Sequence, residues 1–128
     1  MRTSSRAPAA IVLAAATALS VAACTAGSDA SGAPVATDHV DLPRSYKFDP
    51  PNITVVAGTT VTWTNNDDFS HSVRFLDGEP SGEPLVMQPG ESVEQTFDEP
   101  GTYRYDCSFH PNNMRGSVTV TAPDGSGP

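Results

Sequence analysis

Cys107, His110 and Met114 fall within eight residues, spaced C-x2-H-x3-M. His71 lies 36 residues before Cys107, in the segment Asp67-Asp68-Phe69-Ser70-His71-Ser72. A thiolate, two imidazoles and a thioether are the donors expected of a mononuclear copper redox site. Thiolate and thioether suit Cu(I), and imidazole serves both oxidation states, so a mixed set leaves neither strongly preferred. Each piece alone has a plainer reading. A lone buried Cys behaves as a small core hydrophobe, and a lone Met fills gaps. A lone His in a loop is usually a polar surface residue. C-x2-H also occurs in zinc sites, but structural zinc wants four Cys or His donors, and beyond Cys107, His110 and His71 there is only His39, near the start of the folded part. The combination, with Cys107 closing an alternating strand, favours copper.

That strand is Thr102-Tyr103-Arg104-Tyr105-Asp106-Cys107. A period of two puts Tyr103, Tyr105 and Cys107 on one face and sends Arg104 and Asp106 to water. The chain then breaks at Ser108-Phe109-His110-Pro111. Elsewhere Thr60-Val61-Thr62-Trp63-Thr64 alternates strictly, and Val73 with Phe75, Val93 with Phe97 and Val118 with Val120 repeat the pattern. Ile53 to Val56 is a short apolar run. Gly58, Asn65-Asn66, Asp77-Gly78, Pro89-Gly90 and Pro100-Gly101 punctuate these runs with turns. No stretch carries a helical period. The expectation is an all-β sandwich of seven to eight strands. Three donors in one loop place the metal at one end of it, close to solvent.

From about Val40 to Val120 the chain resembles a small type 1 blue copper protein, a cupredoxin of the plastocyanin and amicyanin kind. The resemblance rests on Tyr46-Lys47-Phe48-Asp49-Pro50, Ile53-Thr54-Val55-Val56-Ala57-Gly58, Val61-Thr62-Trp63-Thr64-Asn65 and His71. It continues through Pro100-Gly101-Thr102-Tyr103-Arg104-Tyr105, Cys107 to Gly116 and Ser117-Val118-Thr119-Val120. It implies a cupredoxin-like Greek-key β-sandwich and one-electron transfer. It implies His71, Cys107 and His110 as trigonal copper ligands, with Met114 as the long axial one. It also implies that backbone N–H groups near Ser72 or Met114 bond the Cys107 sulfur and tune the potential. Two departures stand out. The spacing from His110 to Met114 falls between the shorter amicyanin loop and the longer plastocyanin loop. Asp106 precedes Cys107 where plastocyanins carry a Tyr used as a remote electron path. The expected electron gate is therefore the edge of His110, ringed by Phe109, Pro111 and Met114.

The N-terminus has a different character. Arg2 and Arg6 precede an uncharged, Ala-rich run of 15 residues, Ala9 to Ala23. A membrane-spanning helix needs roughly 20. The run ends in Val21-Ala22-Ala23-Cys24, which resembles a bacterial lipobox. Residues 1–23 are therefore expected to be a lipoprotein signal peptide, with Cys24 lipidated. Residues 24–37, rich in Gly, Ala, Ser and Thr, are expected to be a flexible tether reaching about 20 Å. Residues 38–122 form the copper-binding domain, and 123–128 a frayed tail.

The full chain has 128 residues and a formal charge of −8. After cleavage five basic residues (Arg44, Lys47, Arg74, Arg104, Arg115) face all 15 acidic ones, for a side-chain charge of −10. That balance argues against nucleic acid, whose phosphates need clustered Lys and Arg. Asp67, Asp68, Asp77, Glu79 and Glu83 are candidates for an acidic face that steers a basic partner.

The expected protein is a monomer, lipid-anchored to the outer face of the cytoplasmic membrane, carrying single electrons between redox protein partners. It is not expected to be an enzyme: four protein ligands close the copper, and His39 alone cannot build a second site. The alternative is a copper-binding protein for storage or delivery. Storage sites are typically Met- or Cys-rich, whereas only Met87 and Met114 remain after cleavage. A redox-inert β-domain that binds another protein is the third reading.

Overall fold

The computed structural model describes residues 32–80 and 82–128. The signal, Cys24 and most of the tether lie outside the described residues. Nine strands occur among the described residues: β1 (Val35–Ala36), β2 (His39–Leu42), β3 (Asn52–Val56), β4 (Thr59–Asn65), β5 (His71–Phe75), β6 (Leu85–Met87), β7 (Ser92–Phe97), β8 (Gly101–Asp106) and β9 (Arg115–Thr121). They form a six-stranded sheet, β1-β3-β9-β8-β5-β6, and a three-stranded sheet, β2-β4-β7. The count exceeds the expected seven to eight because β1 and β6 have only two and three residues. Elements that short cannot show a period. Val35 and Ala36, read above as tether, pair in parallel with Ile53 and Thr54. The expected frayed tail begins instead with a turn, in which Gly125 N donates to Ala122 O and Ala122 N to Ser126 O.

Alternation puts one face of each main strand between the sheets. Val61 and Trp63 on β4, Ile53 and Val55 on β3, Val118 and Val120 on β9 and Phe97 on β7 are all buried. Their centre is aromatic. Trp63 meets Tyr105, Phe75 and Phe97 edge-on, and Phe48 meets Tyr105 at 4.8 Å between centroids. Such pairs contribute about 0.5–1.5 kcal/mol each beyond their area burial. Tyr105 Oη donates to Pro51 O at 3.3 Å. Burial pushes the Tyr105 phenol well above its ordinary pKa.

β8 departs from its simple alternation. Tyr105 and Cys107 are buried, Tyr103 is half-buried and Arg104 is exposed, as the period requires. Asp106, expected in water, is buried. The reason lies in the pairing of β5 with β8, which sets Arg74 opposite Asp106. The Arg74 guanidinium covers the carboxylate and donates to both its oxygens, at 2.9 and 2.8 Å. The same pairing brings the start of β5, with His71 and Ser72, beside the end of β8, where Cys107 follows.

Candidate metal centre

The segment after β8 folds back at once. Cys107 N donates to Met114 O at 3.1 Å, His110 N to Cys107 O at 3.0 Å and Met114 N to His110 O at 3.0 Å. These bonds close the eight-residue loop at its neck. They fix where Cys107 and His110 project, and they bury Met114 completely at its far end.

His71 comes from the other side, at the first residue of β5. The loop before it is knotted by its own polar groups. Asn65 Nδ2 donates to Phe69 O and Met87 O, Asp67 N to Asn65 Oδ1 and Asp68 N to Asp67 Oδ1. Asp67 Oδ2 then lies 2.9 Å from His71 Nε2, with both side chains buried. This hydrogen bond is the main cause that holds the Asp67 carboxyl below the ordinary carboxylate range, against the opposing effect of burial. An ionised carboxylate only accepts, so Nε2 is the donor of this bond, and Nδ1 is the ring nitrogen left to meet a metal ion.

His71 Nδ1 lies 3.8 Å from Cys107 Sγ, and His110 Nδ1 lies 3.9 Å from the same sulfur. The three donor atoms all lie within 4.8 Å of one another. Metal bonds of about 2.3 Å to sulfur and 2.0 Å to nitrogen, at trigonal angles, would set sulfur and nitrogen roughly 3.7 Å apart. The two sulfur–nitrogen spacings match that value, so the chemistry and the spacing of these residues fit one metal ion. Of the two backbone groups the resemblance implied for the sulfur, Ser72 N is the one that donates to it, at 3.4 Å. Ser72 Oγ accepts from Ser108 N at 2.9 Å and so ties β5 to the Cys107 loop.

His39 is an exposed residue at the start of β2, beside Asp41, and joins no donor cluster among the described residues. The expected acidic face is largely spent on internal partners. Asp67 holds His71, Asp68 pairs with Arg44 at 2.8 Å, and Asp77 takes both arms of Arg104. Of the residues expected to ring His110, Phe109 is exposed and Pro111 half-buried, but Met114 is inside.

Two residues at the centre do something other than the sequence suggested. Asp67 read as a surface charge, although its i,i+4 spacing to His71 was a signal. Tyr46 gave none. It has φ of 51°, a left-handed conformation that costs a non-glycine residue roughly 1 kcal/mol. Its ring stacks on Phe69 and meets His110 edge-on at 4.8 Å and His71 at 5.9 Å.

The role of Asp67 is open to measurement. Asp67→Asn keeps the shape and loses the charge that orients His71. It should weaken copper affinity roughly tenfold to a hundredfold, the usual range for a partner of a ligating His. Competition titration against a chelator of known affinity reads the change directly.

Residues 39–121 match the family described as copper binding proteins of the plastocyanin/azurin type. The chain is 42% identical over 83 residues to the plastocyanin of Scenedesmus fuscus, covering 57% of this chain and 85% of that one. It is 35% identical over 91 residues to amicyanin-alpha of Methylorubrum extorquens, covering 69% and 75%. Among solved structures, a purple cupredoxin from Nitrosopumilus maritimus superposes with a TM-score of 0.56 at 33% identity, over 65% of this chain and 98% of that one. A copper-containing nitrite reductase from Thermus scotoductus also superposes, with a TM-score of 0.56 at 32% identity, but over only 23% of its length. With the family matched across most of the folded chain, and its sulfur and two imidazole nitrogens already converged, this protein belongs to the plastocyanin/azurin family of copper-binding proteins.

Proposed function

We propose that this protein is a type 1 copper electron carrier held outside the cytoplasm by a lipid on Cys24. The observation that carries the reading is the preassembled set of His71 Nδ1, Cys107 Sγ and His110 Nδ1, with sulfur–nitrogen distances of 3.8 and 3.9 Å. Copper bound there supplies a one-electron Cu(I)/Cu(II) couple. The chain's own part is to keep the donors still. Asp67 fixes the His71 ring, the loop bonds fix Cys107 and His110, and Ser72 N–H stabilises charge on the sulfur. Met114 would supply the fourth donor of this reading, a buried thioether carried to the same end of the sandwich by its backbone bonds to Cys107 and His110. Donors that need not move between oxidation states favour fast electron transfer.

The plastocyanin and amicyanin relatives support the carrier role over storage. The overlap with a nitrite reductase covers a small part of that enzyme, and four protein donors leave no open position for a substrate, so the reading is not an enzyme. A redox protein partner meets the half-exposed His110 edge, beside Phe109, Phe69 and Tyr46. Charges nearby are internally paired, Arg44 with Asp68 and Lys47 with Asp49. Contact at this end of a monomer is therefore apolar, while the net side-chain charge of −10 still steers a basic partner from a distance, so the docking rate should fall as salt rises.

The test is a visible absorption and electron paramagnetic resonance spectrum of residues 25–128 loaded with Cu(II). An intense thiolate-to-copper band with narrow hyperfine splitting is expected. A pale, ordinary Cu(II) spectrum would sink the electron-transfer reading and favour copper delivery.

A further inference from the structure

The two histidines of the centre are held very differently. His71 is buried and bonded through Nε2 to Asp67. His110 is only half-buried, and its ring makes no hydrogen bond among the described residues other than the one that turns Nδ1 toward Cys107 Sγ. What packs against the His110 ring is aromatic: Tyr46 edge-on at 4.8 Å, and His71 at 5.4 Å. Tyr46 is itself braced from behind by Phe69, stacked at 5.9 Å with an interplanar angle of 24°.

The backbone at Tyr46 bears on this. A tyrosine at φ of 51° is strained where a glycine would not be. Its own neighbours do not need the ring, since Phe48 fills the core from the same segment while Tyr46 is 39% exposed. The strain is offset where the ring lands, stacked on Phe69 and edge-on to both imidazoles. Strained residues of this kind gather at functional sites.

We infer that Tyr46 is a positioning residue, an aromatic cover that holds the His110 imidazole in place over the metal and slows loss of the ion. The inference rests on the copper reading above. It extends that reading to a residue that supplies no ligand, from a loop that carries none. The edge contact, not the hydroxyl, does the holding. With no bond on its outer nitrogen, His110 is the donor free to swing away, and a ring packed against it raises the barrier to that swing.

Tyr46→Gly makes the test clean, because it removes the ring and relieves the strained backbone together. The relief offsets the extra freedom glycine gives the unfolded chain. Copper-free Y46G should therefore unfold near the midpoint of the unaltered protein. The reduced, copper-loaded Y46G should surrender Cu(I) to a chromophoric chelator roughly fivefold faster, the equivalent of one lost edge-on aromatic contact. Tyr46→Phe keeps the ring and should release copper at the unaltered rate. Equal release from Y46G and the unaltered protein overturns the cover. So does Y46F releasing as fast as Y46G, or a copper-free Y46G so destabilised that the ring proves to be a structural prop. An unaltered protein that takes up copper without the intense thiolate band would instead overturn the type 1 reading, and the cover with it.

Discussion

Cys107→Ser should erase the intense visible band completely while leaving the β-sandwich folded. The band requires a thiolate, and a serine hydroxyl does not ionise near neutral pH. The variant keeps both imidazoles, with His71 still oriented by Asp67 at 2.9 Å, so weak copper binding with an ordinary spectrum should remain. The fold should survive because Cys107 is a small side chain at the end of β8, and Ser72 N–H, which now donates to its sulfur at 3.4 Å, can bond the smaller oxygen instead. Burying the hydroxyl in place of a thiol should cost about 1–2 kcal/mol in the copper-free protein. Thermal unfolding with and without copper gives the sharper reading. A ligand that binds only the native state at a thousand times its dissociation constant stabilises it by about 4 kcal/mol. The unaltered protein should show such a gap between loaded and copper-free midpoints, and in C107S the gap should nearly close. A C107S protein that keeps the band, or keeps the full gap, would remove the sulfur from the site.

Gly116→Ala should do the reverse, harming the fold while sparing the chemistry of whatever remains folded. Gly116 pairs with Tyr105 across β8 and β9. A methyl group at Gly116 would lie 2.5 Å from Tyr105 Cζ and 2.6 Å from its Oη, and would press on the Pro51 carbonyl as well. Neither neighbour can yield cheaply. Tyr105 is wedged edge-on between Phe48 and Trp63, and its hydroxyl is bonded to that same carbonyl. Pro51 O also accepts from Ser117 N at 2.9 Å, which locks the backbone. The cost should reach about 3 kcal/mol, the upper end for overpacking a tight core. In a domain of this size that lowers the midpoint of thermal unfolding by roughly 15 °C. Scanning calorimetry of the copper-free protein measures it. Copper should restore part of the loss, and the restored protein should keep its band. An unchanged midpoint would mean that the Tyr105 ring is not confined as described.

The two variants separate what chain order alone dictates from what packing adds. Alternation is a local property, so Trp63, Val61, Val118 and Val120 are legible as core in the order of residues alone, and all four are buried. The donor types and their spacing after Cys107 are legible for the same reason. A loop that closes on itself within eight residues keeps its side chains together whatever the rest of the chain does. The fold class and the identity of the metal follow from those two facts and from the resemblance they support. Everything that depends on which strand lies beside which is hidden. Asp106 looks like a solvent residue because only the β5–β8 register reveals that Arg74 covers it. Asp67 looks like surface charge because only the folded loop turns it onto His71. Tyr46 and Gly116 lie in segments that carry the resemblance, but their residue types do not show what they do, since one acts through a left-handed backbone and the other through a missing methyl group. Sequence by itself determined the donors and the strands, because both are set by residue type and short spacing. Tertiary structure decided how the donors are aimed, braced and covered, because those contacts join segments that only the sheet pairing brings within reach.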